Sequence, residues 1–208
     1  MKKLTLQKPQ TVAESSSSPQ PEKPFTGILK QDMTWLQDRY VRCSDLIYRQ
    51  FTVGGQRGRQ AAVFYIDGMT SSKVVHDNIL QPLLIDAEIA KYDAEHEQEN
   101  YFSFVKQHLL PAGEITTADD LEQGSLAMMN GDVLLLLDGC QQGFIIDAKG
   151  FPHRSIGTSQ NEMVLRGPQE AFTETLRVNT ALIRRRLRTD QLKLEEKTLG
   201  RYTKTQVA

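Results

Sequence analysis

The sequence predicts a mixed α/β (α+β) fold, because strand-like and helix-like segments alternate along the chain. Two apolar runs, 61–66 and Val133–Leu137, are each followed by Asp-Gly and are predicted as central strands. A long run after Pro168 repeats apolar residues at helical spacing and predicts an amphipathic helix. The repeated pattern of strand and Asp-Gly favours two small α/β lobes. The alternative explanation is that Asp-Gly simply ends many strands.

Composition narrows the class of protein. The chain has 208 residues, of which 39% are hydrophobic and 25% charged, which allows one ordinary domain or two small ones. The net charge of −1 provides no general field for nucleic acid, so we expect no nucleic-acid partner. The cysteines, Cys43 and Cys140, have no metal-ligand spacing and are expected to be reduced thiols.

No membrane-spanning segment is predicted within these residues. The basic start Met1-Lys2-Lys3 is not followed by the apolar stretch of a secretory signal. The longest uninterrupted aliphatic run, Val133–Leu137, is far too short to cross a bilayer. We therefore expect the given residues to form a soluble polypeptide.

The first part of the chain predicts a tail followed by a first lobe. Residues 1–30 contain a serine run and several prolines and are expected to form a disordered tail. The first lobe, 31–113, ends where small and polar residues follow Pro111. Its predicted elements are a helix at 33–41, a hairpin with strands at 45–53 and 61–66, a helix at 74–84, an acidic solvent-facing stretch at 86–99, and a helix at 102–110.

The second lobe is expected over 114–208. Thr117 and Asp120 resemble an acidic capping box at the start of a helix that ends near Met129. Its other predicted elements are a strand at Val133–Leu137, a partner strand at 143–147, a strand at 154–156, the helix after Pro168, and one or two strands within 192–205.

The helix after Pro168 carries most of the candidate site. Glu170 and Glu174 lie toward its positive N-terminal end, and several arginines lie toward its negative C-terminal end. The expected buried face is formed by Phe172, Leu176, Ile183 and Leu187. Asn179 falls on or beside this face, so it either specifies how the helix packs or forms part of a contact surface. The arginines are expected to pair with carboxylates within or between subunits, with phosphate contact as the alternative.

Several blocks of residues, in a fixed order over 31–208, together resemble one known family. They are Ser44-Asp45-Leu46-Ile47-x-Arg49, Tyr65-Ile66-Asp67-Gly68, Glu162-x-x-x-Arg166-Gly167-Pro168-x-Glu170-x-Phe172-x-Glu174, Asn179-x-x-Leu182-Ile183-Arg184-x-Arg186, and Gly200-Arg201-Tyr202-Thr203-x-Thr205. This pattern is similar to that of the A subunits of GerA-type spore germinant receptors.

The resemblance implies a soluble N-terminal region, cut before a membrane-spanning part that would follow Ala208. Such regions are described as two α/β lobes that resemble the subdomains of substrate-binding proteins. Members work with B and C subunits and with other A copies at the spore inner membrane, where nutrients trigger ion release. The resemblance points to assembly or signalling roles for Glu162, Arg166, Gly167, Pro168, Glu170, Phe172, Glu174, Asn179, Arg184 and Arg186.

The residues contain no recognisable catalytic motif, so we expect neither an enzyme nor a cofactor or metal site. Asp67 and Asp138 could meet at strand ends as metal-binding carboxylates, but their place in turns explains them without a metal. Two functions remain open. The first is a signalling and assembly domain, on the cytoplasmic side because no signal sequence exports it. The second is a germinant-binding module with its ligand in the cleft between lobes.

Overall fold

A five-stranded antiparallel sheet lies at the centre of the computed structural model, which describes residues 23–54, 58–86, 101–110, 114–150 and 172–208. Its strands are β1 (Leu46–Thr52), β2 (Gln60–Ile66), β3 (Ile115–Ala118), β4 (Val133–Leu137) and β5 (Gly143–Ile146). They lie in the order β1-β2-β4-β5-β3, and every neighbouring pair is antiparallel. The predicted mixed α/β class is confirmed.

Helices pack on both faces of this sheet. They are α1 (Leu29–Arg39), α2 (Ser72–Val75), α3 (Tyr101–Phe104), α4 (Leu121–Met129) and α5 (Leu176–Arg186). α2 continues into π-helical turns at His76–Leu80 and Pro82–Asp86, and α3 continues into another at Val105–Leu109. Two short strands, β6 (Lys197–Leu199) and β7 (Thr205–Val207), pair in a separate hairpin near the end of the chain.

The core consists of two apolar layers, one on each face of the sheet. β4 is buried along its whole length, because successive side chains of a strand point to opposite faces. Leu135 packs in the layer that contains Val75 and Phe102 from the α2 and α3 segments. Leu134 packs in the opposite layer with residues of α1 and α4. Burial on both faces explains why β4 is an uninterrupted apolar run.

The sheet takes strands from both sides of the boundary expected near residue 113. β1 and β2 precede that position, whereas β3, β4 and β5 follow it, and β2 pairs directly with β4. The segments 31–113 and 114–208 therefore share one sheet rather than each having its own central strand. The two Asp-Gly strands that suggested lobes are antiparallel neighbours, so their turns lie at opposite ends of the sheet.

Part of the segment expected to be a disordered tail belongs to the fold. Pro24 forms an isolated β-bridge with Asp120, and Phe25 is only 5% exposed. Leu29, the first residue of α1, donates its backbone N–H to the carboxylate of Asp138 at 3.1 Å. Apolar burial of Phe25 and Leu29 fixes 23–30 on the sheet; residues 1–22 lie outside the described part of the chain.

α5 is shorter than the helix predicted after Pro168, and it buries a different face. It begins at Leu176 after the N-cap residue Thr175, and Phe172 lies before it with 68% of its surface exposed. The buried residues of α5 are Thr180, Ala181, Leu182 and Arg184. The prediction that Phe172 is a core residue was wrong, because Phe172 lies before the first residue of α5 and is not on the face that the helix buries.

Candidate functional site

Three of the blocks singled out in the sequence meet at one end of the sheet. Asp45 precedes β1, and Asp67 follows β2. Because Leu46 pairs with Ile66 in the antiparallel register, these aspartates are neighbours, and the Asp67 N–H donates to the Asp45 carbonyl at 2.8 Å. α5 lies against this end. We call Asp45, Asp67, Gly68, Arg177 and Arg184 the α5 anchor.

Arg184 and Asp45 form the buried part of the α5 anchor. The Arg184 Nε and Nη2 atoms donate to the two Asp45 carboxylate oxygens at 2.7 and 2.9 Å, and the side chains are 1% and 4% exposed. The Arg184 Nη1 atom also donates to the carbonyls of Thr189 and Leu192 at 3.3 and 2.8 Å. These contacts satisfy a charge whose burial would otherwise be strongly unfavourable.

The electrostatic balance at Arg184 favours the charged guanidinium. Burial opposes that charge, but the hydrogen bonds and negative charge of Asp45 outweigh it and raise the pKa of Arg184 above its ordinary value. The planar guanidinium donates one hydrogen bond to each carboxylate oxygen, whereas the ammonium group of a lysine does not have this two-pronged geometry. Arg184 is therefore a fixed internal tie between α5 and the start of β1.

The turn after β2 lets α5 approach the sheet closely. Gly68 has a positive φ of 79°, and a Cβ built there would lie 3.2 Å from the Ala181 Cβ atom and from the Arg177 carbonyl oxygen. Arg177 forms an ion pair with Asp67 beside the same turn. The absence of a side chain at position 68 thus serves both the turn and the helix contact.

Asn179 finds its hydrogen-bond partner within the chain. Its Oδ1 atom accepts from the Thr173 backbone N–H at 2.6 Å, and its Nδ2 atom donates to the Thr173 carbonyl at 2.7 Å. The Thr173 hydroxyl in turn accepts from the Thr175 backbone N–H at 3.2 Å. Asn179 therefore holds the segment that enters α5, which explains a polar residue at the edge of the buried face.

The segment after α5 packs back on the residues between α1 and β1. The backbone N–H of Ser44 donates to the Leu194 carbonyl at 2.8 Å, and the Ser44 hydroxyl accepts from the Glu196 N–H at 3.1 Å. Leu194 is only 7% exposed. Arg42 forms an ion pair with Glu195 on the surface beside them. α5 and the chain that follows it are thus tied to the sheet at several points.

The remaining candidate residues are placed differently. Glu174 and Arg186 are exposed, as is Phe172. Glu162, Arg166, Gly167, Pro168 and Glu170 lie outside the described residues, as do the strand predicted at 154–156 and most of the acidic stretch at 86–99. The sequence reasoning missed Asp45 as the partner of Arg184; an acidic residue directly before the predicted strand was the available signal.

A surface cleft of about 540 Å³ lies away from the α5 anchor, beside the turn between β4 and β5. It is lined by Arg59, Phe102, Asp119, Gly139, Cys140, Gln141 and Gln142. The Arg59 guanidinium lies 4.6 Å from the centre of the Tyr101 ring, and Asp119 accepts from the Gln142 amide at 2.7 Å. Burial raises the pKa of the Cys140 thiol above its ordinary value. The lining therefore offers a cation, a carboxylate and amides on one surface.

Within the described residues, no group of three or more His, Cys, Asp and Glu side chains is arranged to hold a metal ion. Asp67 and Asp138 lie at opposite ends of the sheet, because β2 and β4 are antiparallel and Asp138 pairs with Gln60 at the start of β2. Among the helices of the described segments, none combines the length and apolar character needed to cross a membrane.

Comparison with known proteins gives consistent results. Residues 34–208 match the family model described as Bacillus/Clostridium GerA spore germination protein. The uncharacterized membrane protein YfkQ of Bacillus subtilis is 33% identical over 186 residues, which are 89% of this chain and 34% of that protein. Spore germination protein B1 of Bacillus subtilis is 32% identical over 180 residues, which are 86% of this chain and 35% of that protein. This chain spans about a third of the length of these relatives.

A solved structure has the same fold. It is the crystal structure of the N-terminal domain of the A subunit of the Bacillus megaterium spore germinant receptor GerK3. It matches with a TM-score of 0.67 and 24% sequence identity, covering 90% of this chain and 65% of that one. At this identity the match establishes the fold.

Proposed function

The chain belongs to the GerA family of spore germination proteins, and from this premise we propose that it is the N-terminal domain of a germinant-receptor A subunit. In this proposal the domain acts in nutrient signalling and in receptor assembly at the spore inner membrane. Its partners are the B and C subunits, other copies of the A subunit, and the membrane through a region after Ala208.

The observation that carries this proposal is the α5 anchor. The buried ion pair between Arg184 and Asp45 ties α5 to the sheet, and Ser44 ties the following segment to the same place. A change in the position of the sheet would therefore move α5 and the segment 187–196 with it. A domain that transmits a signal to neighbouring parts of a receptor needs this kind of rigid connection.

The exposed part of the candidate site is proposed to contact other subunits. Phe172 is a large aromatic side chain with 68% of its surface in solvent, and exposed aromatic side chains are favoured at protein interfaces. Glu174 is an exposed charge of the kind that pairs across interfaces, and Arg186 is also exposed. Glu162, Arg166, Gly167, Pro168 and Glu170 are proposed to belong to the same surface. Asn179 and Arg184 act through the position of α5.

The experiment is a deletion of the gene for this protein in the organism that encodes it. Spores of the deletion strain are exposed to separate nutrients, and ion release is followed over time. We expect slower release for at least one nutrient, with recovery when the wild-type gene is restored. Normal release with every nutrient that triggers wild-type spores would refute the proposal.

A second candidate function is germinant binding, favoured by the cleft beside Arg59. Arg59 and Phe102 come from the segment 31–113, whereas Asp119 and Gln142 come from 114–208, so both segments contribute to the lining of the cleft. A cation and a carboxylate on one surface suit a zwitterionic ligand such as an amino acid.

Calorimetry on the purified chain tests this second function with amino acids, sugars and nucleosides. Saturable heat with one class that is lost in Arg59→Gln would support it. Lys106→Gln serves as the matched control, because Lys106 is an exposed cation that does not line the cleft. No heat with any class, or equal loss in both variants, would refute it.

A further inference from the structure

The two apolar layers of the core are built without α5 and the segment that follows it. Among the described residues, every member of these layers lies between Phe25 and Ala148. Within 173–196, the buried apolar side chains are Ala181, Leu182 and Leu194. Release of this segment from the sheet would therefore expose little apolar surface, which is the property of a part that opens locally.

Residues 173–196, which we call the α5 strap, are joined to one another by their own hydrogen bonds. Before the helix, the Asn179 side chain holds the Thr173 backbone. After the helix, the Arg184 Nη1 atom donates to the carbonyls of Thr189 and Leu192. Because these contacts lie within the strap, they make its parts dock and undock together.

Charged side chains hold the α5 strap on the sheet. Arg184 pairs with Asp45 in the interior, and Arg177 pairs with Asp67 at the surface. The burial of two charges is itself unfavourable, and both charges recover their water when the helix leaves the sheet. The surface pair contributes little, because water and salt screen it. Undocking of the strap is therefore far less costly than unfolding of the apolar layers.

We propose that the α5 strap undocks from the sheet as one body while the five-stranded sheet stays folded. The pair formed by Arg184 and Asp45 sets the balance between the docked and undocked states, because it joins the strap to the start of β1 in a buried place. The docked state is the connection described for the α5 anchor, and the undocked state interrupts it.

As a regulatory device, the α5 strap rests on the proposed signalling role of the domain. A receptor subunit that binds the docked and undocked states with different affinities would shift the balance between them. In the docked state, a displacement of β1 moves the segment 187–196. In the undocked state it does not, so the strap determines whether the sheet and this segment move together.

The first test is hydrogen–deuterium exchange of the purified chain at urea concentrations below its unfolding transition. Backbone amides of α5 should be at least about a hundredfold less protected than those of β4, because the opening that exposes them leaves the sheet folded. Their protection should also depend less on urea, because undocking exposes less surface than unfolding. Equal protection, or equal urea dependence, in α5 and β4 would overturn the inference.

The second test removes the buried pair from either side, in Arg184→Ala and in Asp45→Asn. In both variants, the amides of α5 should lose at least about a hundredfold of their protection. The detached helix has 11 residues and is too short to be stable alone in water. The amides of β4 should stay at least about a hundredfold more protected than those of α5.

The matched control is Arg177→Ala, which removes an exposed ion pair from the same helix. Protection of α5 in this control should stay within about fivefold of that in the unaltered chain. If α5 keeps its protection in Arg184→Ala or Asp45→Asn, or if the sheet loses its protection together with α5, the inference is overturned. These outcomes leave the germination phenotype of the deletion strain unaffected, so the two proposals fail separately.

Discussion

Arg184 and Asp45 are 139 positions apart in the sequence, yet they form a two-pronged ion pair that is almost completely buried. The pair connects the last turn of α5 to the residue before β1. It also explains why an arginine occupies the inward face of α5, where an apolar residue would be expected. The energetic consequences of this arrangement can be tested directly.

Removing one partner of this pair should destabilise the protein strongly. Arg184→Ala leaves the Asp45 carboxylate buried without its cation, which should lower the free energy of unfolding by about 3–5 kcal/mol in urea denaturation. Arg177→Ala is the matched control on the same helix, because its ion pair with Asp67 is exposed and should contribute less than about 1 kcal/mol.

A double variant separates the charge from the packing. Asp45→Leu combined with Arg184→Met removes both charges and keeps apolar volume, so it should recover part of the loss seen for Arg184→Ala. An Arg184→Ala protein as stable as the Arg177→Ala control would contradict the structural role assigned to the pair.

Gly68→Ala should destabilise the contact between α5 and the turn after β2. The new methyl group would occupy a positive-φ position and press on Ala181 and the Arg177 carbonyl, which should cost about 1–3 kcal/mol. Gly139→Ala is the control, since Gly139 has a similar φ of 80° but faces only the end of the Arg59 side chain. Equal melting temperatures for the two variants would mean that α5 does not approach Gly68 closely.

Tyr40 should make stability fall at alkaline pH. Burial raises the pKa of its phenol above the ordinary value of 10.0, and the hydroxyl is hydrogen-bonded to Ser125 at 2.7 Å. Below pH 10 the phenol is protonated in both states, so its contribution is constant. Above pH 10 the unfolded chain releases the proton first, so the free energy of unfolding should fall by up to about 1.4 kcal/mol per pH unit.

Tyr40→Phe isolates this contribution. The variant loses the hydrogen bond to Ser125 and should be about 1 kcal/mol less stable near neutral pH. Its stability should then fall less steeply above pH 10 than that of the unaltered protein, as measured by urea denaturation at several pH values. If the free energy of unfolding falls equally with pH in both proteins, the pKa of Tyr40 is the same in the folded and unfolded states.

The local elements could be predicted from the sequence because each has a local cause. β2 and β4 are apolar runs ended by Asp-Gly, and α4 begins after an acidic residue. Its cap is Asp120, whose carboxylate accepts from the Gln123 N–H at 2.7 Å, whereas Thr117 belongs to β3. The prediction of a capping box that begins at Thr117 was therefore wrong, because the residue that directly precedes the helix is Asp120.

The pairing of distant segments could not be predicted in the same way. Nothing local to β2 or β4 specifies that they are neighbours, and the same apolar pattern would suit strands in separate lobes. The inward face of α5 depends on Asp45, which lies far away in the sequence. Helical periodicity alone placed Phe172 inside, because the pattern does not show that the helix begins only at Leu176.

Phe172 and Arg186 should matter for the receptor more than for the fold. Both are exposed, so Phe172→Ala and Arg186→Ala should each change the free energy of unfolding by less than about 1 kcal/mol. In spores, both variants should slow nutrient-triggered ion release or lower the amount of assembled receptor, because exposed aromatic and arginine side chains dominate many protein interfaces. Leu126→Ala is the matched control, since Leu126 is 58% exposed on α4 and belongs to no proposed contact. If both variants fold normally and germinate like the Leu126→Ala control, this surface does not serve assembly. If either variant is already unfolded at the start of a thermal melt, that residue acts within the domain instead.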